Sequence, residues 1–181
     1  MKKINKNFID KITSDYVWYA CYGSNINRNR LMIYINGDQS GYYADFNGCH
    51  DKDMPIEDKP YIIHRKIYFA KHSQNWGGGV AFLNYRTPGL TYGKIYKLKK
   101  SQFLDIYYQE HQSKEYDALI YLGEDEQIPV FTFTSSYKLK DIEKPSKKYL
   151  DVIKDGLKET YKDLTVAEIN EYLLKICQEN R

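Results

Sequence analysis

Between residues 61 and 134 the chain alternates apolar and polar side chains in five short runs, at 62–70, 79–85, 92–98, 118–122 and 130–134. Runs of this length and spacing read as strands, mostly in antiparallel pairing. Helical spacing is kept to separate stretches, at 27–35, 101–110, 146–161 and 165–178, where Thr165 and Glu168 form a capping-box pattern. Strands grouped together with helices on either side predict an α+β chain. The expectation is a small mixed β-barrel or strongly curved sheet with flanking helices.

A length of 181 residues predicts one domain over 1–181, with a core that needs no staples. Charged residues make up 28% and apolar residues 42%, a globular balance. Basic residues are spread along the chain and the net charge is only +3, so a nucleic-acid surface is not indicated. The 19 tyrosines lie largely in strand alternation, as in Tyr92-Gly93-Lys94-Ile95-Tyr96, and serve packing rather than base stacking. Three widely separated cysteines, Cys21, Cys49 and Cys177, read as free thiols of a reducing compartment. With no signal-peptide pattern in the first 15 residues and no spanning segment, a cytoplasmic location without membrane contact is expected.

Residues 36–60 hold Gly37, Gly41, Gly48, Pro55 and Pro60 with little periodicity, and read as a long loop. Loops of this length are binding segments, lids or plain surface excursions.

Ahead of that loop, an apolar run beginning at Tyr16 stops at Tyr22-Gly23-Ser24-Asn25, and helical spacing follows. This is a strand, a tight turn and a helix start. Gly23 permits backbone angles that side chains forbid, and Ser24 or Asn25 can cap the helix. Main-chain N–H groups at such a turn attract carboxylates and oxyanions.

A second unusual position lies in the helix predicted over 101–110, with Ser101 near its N-cap. Phe103, Ile106, Tyr107 and Glu110 fall at i, i+3, i+4 and i+7, so a carboxylate shares the inward face. Burying it alone costs several kcal/mol, so it is paired, protonated or lines a polar cavity. In a cavity it is placed for general acid and base work.

Five motifs occur in order: Tyr22-Gly23-Ser24-Asn25, Trp76-Gly77-Gly78-Gly79-Val80-Ala81, Gly93-Lys94-Ile95-Tyr96-Lys97-Leu98, Gln109-Glu110 and Pro145-Ser146-Lys147-Lys148-Tyr149. Together the motifs make the chain resemble the gamma-glutamyl cyclotransferase-like superfamily from about residue 17 to the final helix. The resemblance implies a small mixed barrel with flanking helices. It also implies that Tyr22, Gly23, Ser24 and Asn25 bind a gamma-glutamyl group, with Gly78 and Tyr149 beside it, and that Glu110 is the catalytic acid and base. The match departs at Ile106-Tyr107 and His111, where family members often carry Leu-Asp and Gly.

The implied reaction closes 5-oxoproline and releases an amine or amino acid from a small-molecule gamma-glutamyl compound, which is lyase or transferase chemistry. It implies no cofactor and no metal. A non-catalytic small-ligand binding protein and a protein-interaction module remain open readings. Ser24 with His50, His64, His72 or His111 lacks the spacing of a nucleophile pair, and the glycines after Trp76 lack the pattern of a phosphate loop.

Overall fold

The computed structural model describes residues 1–38, 47–111 and 114–180. In chain order the elements are β1 (Lys2–Ile4), α1 (Lys6–Asp10), β2 (Tyr16–Cys21), a 3-10 turn (Ser24–Ile26), α2 (Arg28–Asn36), β3 (Glu57–Ile63), β4 (Lys66–Ser73), β5 (Gly78–Asn84), β6 (Thr91–Lys99), α3 (Lys100–Glu110), β7 (Ala118–Asp125), β8 (Ile128–Thr134), α4 (Lys147–Thr160) and α5 (Val166–Gln178). Six strands form a mixed sheet in the order β1-β7-β8-β2-β6-β3, and β4 with β5 forms a second. The α+β class with a mixed sheet and flanking helices is the one the sequence predicts. Among the described residues no helix is long and apolar enough to cross a membrane.

Two compact units emerge. The first comprises Met1–Ala20, Met32–Lys59 and Ile95–Ser136. In it β7 pairs antiparallel with β1 and β8, while β2 lies parallel to β8 with Tyr19 opposite Phe131. A parallel pair needs a crossover, and here the chain between Cys21 and Ile128 supplies it. α3 covers this sheet with Phe103, which stacks on Phe131 at 5.5 Å and on Phe133 at 5.4 Å. Full burial of such a ring contributes about 1.5–3 kcal/mol.

The described end of the predicted loop belongs to the same unit and is tied down. Cys49 is buried against the carbonyls of Tyr34 and Gln102, the Gln102 amide donates to the carbonyls of Asp51 and Asp53, and Lys99 meets both of those carboxylates at 2.7 Å. Burial pushes the Cys49 thiol up to about 12. The loop is also shorter than expected, since β3 begins at Glu57; residues 39–46 of it lie outside the described residues.

The second unit comprises Cys21–Leu31, Pro60–Lys94 and Tyr137–Arg181. The run at 62–70 resolves into the end of β3 and the start of β4, separated by His64 and Arg65. β4 and β5 form a hairpin with Tyr68 opposite Phe82 and a bulge at Lys71, whose φ is 60°. The chain at 141–144 then runs beside β4, with Lys71 N–H donating to Asp141 and Glu143 N–H donating to Phe69. α4 starts where the Ser146 hydroxyl accepts from Tyr149 N–H, and α5 starts with the predicted Thr165 and Glu168 capping box.

Candidate functional site

β2 runs to Cys21, where the second unit begins, and the turn that follows at Tyr22 departs from expectation in two ways. A 3-10 turn intervenes before α2, and the residue that caps α2 is Asn27, whose side-chain oxygen accepts from Arg30 N–H at 3.2 Å; neither Ser24 nor Asn25 does so. Gly23 has φ −109°, so left-handed freedom is not what it supplies. It supplies room. A Cβ there would stand 2.8 Å from the Tyr149 hydroxyl and 3.2 Å from the Ala81 Cβ.

Tyr149 is thereby the centre of this part of the molecule. Its ring is buried, edge-on to Trp76 at 5.0 Å and to Phe69 at 6.4 Å. Its phenol oxygen accepts the Ala81 N–H at 3.1 Å and is hydrogen-bonded by the main chain and side chain of Ser24. Burial pushes the phenol above its ordinary pKa, against the pull of those hydrogen bonds and of the Arg30 charge, so it keeps its proton at neutral pH.

A Cβ at Gly78 would stand 2.8 Å from Ser146 N and 2.9 Å from the Lys144 carbonyl, so its missing side chain lets β5 press against the segment that starts α4. Gly79 N–H donates to the Lys144 carbonyl at 2.9 Å in the same contact. The structure therefore brings Gly23, Ser24 and Tyr149 together directly and connects Gly78 through the 144–146 backbone.

In the first unit Glu110 is the last residue of α3 and only 9% exposed. Of the stripe read from the sequence, Phe103, Ile106 and Glu110 are buried and Tyr107 is half-buried. Lys99 rather than Ser101 stands at the helix N-cap, its N–H bound by the Gln102 side chain at 3.2 Å. Tyr19 donates its hydroxyl to Glu110 Oε1 at 3.4 Å, and its ring is held edge-on by Phe103 at 5.9 Å and packed on Phe133 at 5.3 Å. His111 stacks on Tyr107 at 3.9 Å, and its Nδ1 meets the Tyr107 carbonyl at 3.0 Å. Burial lowers its pKa, opposed by that carbonyl, and it is neutral at pH 7.

Two residues escaped the sequence reading. Tyr19 lies in a run so uniformly apolar that nothing marks one of its rings as a hydrogen-bond donor. Arg30, 7% exposed, was detectable by the signal that exposed Glu110, because it lies four residues before Tyr34 on the buried face of α2. Its guanidinium carbon stands 5.8 Å from the centre of the Trp76 ring. The second unit also holds a cavity of about 450 Å³ bordered by Lys66, Tyr92, Leu164, Tyr172, Ile176 and Glu179. Glu168 of the predicted capping box also borders it, and none of the candidate site residues does.

This arrangement of strands and helices is the gamma-glutamyl cyclotransferase-like fold. A solved gamma-glutamyl cyclotransferase superposes on it with a TM-score of 0.60 at 20% identity, covering 89% of this chain and 86% of that one. An uncharacterized protein from Homo sapiens matches at 0.61 and 21% identity over 90% of this chain and 87% of its own. YkqA from Bacillus subtilis matches at 0.61 and 17% identity over 93% of this chain and 57% of its own. Among curated proteins, Histone deacetylase 5 of Arabidopsis thaliana is 28% identical over 185 residues, which take in 79% of this chain. The match spans only 28% of the length of that relative. No protein-family model matches the sequence.

Proposed function

We propose that this chain is a gamma-glutamyl cyclotransferase-type enzyme, releasing 5-oxoproline and an amine or amino acid from a small gamma-glutamyl amide. The observation that carries the proposal is Glu110, a carboxylate on an otherwise apolar helical stripe, 9% exposed and facing a hydroxyl donor from Tyr19, in a chain with this fold. In this reading Glu110 takes a proton from the substrate α-amine. The amine nitrogen then bonds to the gamma-carbonyl carbon, the amide C–N bond breaks, and Glu110 returns the proton to the leaving nitrogen. Atoms balance with no added reactant.

The turn at Tyr22, Gly23, Ser24 and Asn25 is assigned to the gamma-glutamyl group, its N–H groups facing developing negative charge. Tyr149 braces that turn, and Gly78 lets β5 close on the 144–146 backbone from which α4 starts. Holding the substrate folded supplies much of the acceleration through orientation. Cys21, Cys49 and Cys177 form no disulfide, which supports a cytoplasmic setting.

The test is 5-oxoproline release from a panel of gamma-glutamyl amino acids and amines. Glu110→Gln is expected to lower turnover by about 100-fold or more while leaving ligand affinity in place. Undiminished turnover in that variant removes Glu110 from the mechanism. Binding without turnover in the unaltered protein replaces the enzyme by a small-ligand binding protein.

A further inference from the structure

We propose that the cavity beside α5 is a binding site for a free α-amino acid with a large apolar side chain. Tyr92 and Tyr172 would take the side chain, and Glu171 and Lys175 the ammonium and carboxylate. This site is independent of the reaction proposed above. The residues that border it all belong to the second unit, and its volume of about 450 Å³ is that of a small-molecule site.

One wall of the cavity is aromatic and fixed. The Tyr92 and Tyr172 rings meet edge-on at 4.7 Å, and the Tyr172 hydroxyl accepts Tyr92 N–H at 3.3 Å. Tyr161 backs Tyr92 at 5.0 Å and is itself anchored by donating its hydroxyl to the Gly93 carbonyl at 2.7 Å. Leu90, 53% exposed, adds aliphatic surface to the same cavity. An apolar side chain entering there is buried against rings that need no rearrangement to receive it.

Of the charged side chains on the rim, three are committed elsewhere. Lys66 and Glu179 pair with each other at 3.0 Å, and the Glu168 carboxylate accepts from the N–H and the hydroxyl of Thr165 at 2.7 Å. That leaves Glu171 and Lys175. Among the described residues neither side chain has a hydrogen-bond or ion-pair partner. They lie four positions apart on α5, the spacing and order at which a glutamate and a lysine pair most readily, yet they do not meet. Both border the cavity instead, an anion and a cation on one face of the helix. A hydrocarbon ligand would answer neither charge, and a simple amine or carboxylate only one. An α-amino acid carries the matching pair on a single carbon, with its side chain free to turn toward the rings.

The test titrates the whole chain with L-phenylalanine, N-acetyl-L-phenylalanine, L-phenylalaninamide and glycine, at a pH where every free amine is protonated. Calorimetry gives the affinities, and NMR shifts of the Tyr92 and Tyr172 amides give the location. L-Phenylalanine is expected to bind with a Kd of about 1 mM or tighter and to move both amides, while glycine does not saturate. Removing either charge from the ligand is expected to weaken binding about five- to tenfold, between the worth of an exposed ion pair and that of a charge-assisted hydrogen bond. Glu171→Gln is expected to erase the difference between L-phenylalanine and its N-acetyl form, and Lys175→Met the difference between L-phenylalanine and its amide. Both side chains are exposed, so the variants keep the fold. Absence of saturable L-phenylalanine binding below about 10 mM overturns the inference. Equal affinity for the three phenylalanine compounds, unmoved Tyr92 and Tyr172 amides, or discrimination unchanged in both variants overturns it as well.

Discussion

The hydroxyl of Tyr149 stands 2.8 Å from the point a Cβ on Gly23 would occupy. The two residues lie far apart in sequence, yet the space denied to one is filled by the other. Because Tyr149 is locked between Trp76 and Phe69, it cannot swing aside cheaply. Gly23→Ala is therefore expected to destabilise the chain by about 1–3 kcal/mol, the range for overpacking. In urea unfolding, Gly23→Ala combined with Tyr149→Phe is expected to cost less than the sum of the two single changes, because the clash loses one partner. Strict additivity would show that the contact is not what limits residue 23.

Tyr149→Phe alone removes the acceptor for Ala81 N–H and for Ser24. Leaving buried donors unmatched costs about 1–3 kcal/mol. Hydrogen exchange at the Ala81 amide is the local readout. Its protection is expected to fall further than that of amides in the middle of α5.

Tyr19→Phe keeps the ring contacts with Phe103 and Phe133 and deletes only the hydroxyl that meets Glu110. Under the proposed function, kcat/KM for 5-oxoproline release is expected to fall about 3–10-fold with Tm nearly unchanged, since one hydrogen bond is worth about 0.5–1.5 kcal/mol. Equal activity in the two proteins would mean that Tyr19 only packs.

His111 gives a dependence on pH. Burial lowers its folded pKa beneath the ordinary value of about 6.5, so in the window between the two the unfolded chain holds more protons. Stability from this residue is complete above that window and is lost as pH falls through it. His111→Gln is expected to flatten this part of the profile. Urea midpoints measured from about pH 5 to 8 check it.

Thr165→Ala breaks the capping box of α5, in which the Thr165 hydroxyl accepts from Glu168 N–H at 3.2 Å and the Glu168 carboxylate accepts from Thr165 N–H at 2.7 Å. The expected cost is about 0.5–2 kcal/mol by thermal or urea unfolding. The Thr165 N–H and hydroxyl, both donating to the Glu168 carboxylate at 2.7 Å, hold that carboxyl below its usual pKa.

Local chemistry was legible in the sequence where it repeats over several turns. The stripe of α3 and the box at Thr165 and Glu168 are both encoded within one short segment, and both appear in the fold. The break between β3 and β4 was not legible, because Ile63-His64-Arg65-Lys66 contains no glycine or proline and apolar alternation runs through it. β1 and α1 span three and five residues, too few for any periodicity to register. The parallel pairing of β2 with β8 has no local signature at all.

At the candidate site the sequence pointed to the turn and could not say what holds it. Ser24 and Asn25 compete on paper for the cap, and the 3-10 turn gives that place to Asn27 by carrying the chain further before α2 begins. The reason for glycine at 23 lies in an aromatic ring supplied by α4, which no local pattern near residue 23 announces.

A second glycine extends the bond between α4 and the turn. A Cβ at Gly156 would lie 2.5 Å from Asn27 N and 2.7 Å from the Ile26 carbonyl carbon, two helical turns along from Tyr149. The tetrapeptide at 22–25 is thus not a portable loop. Grafted onto another scaffold, it would keep its shape only if a helix bearing both the phenol and the bare backbone position came with it, and homologues that exchange one half of this pair must exchange the other.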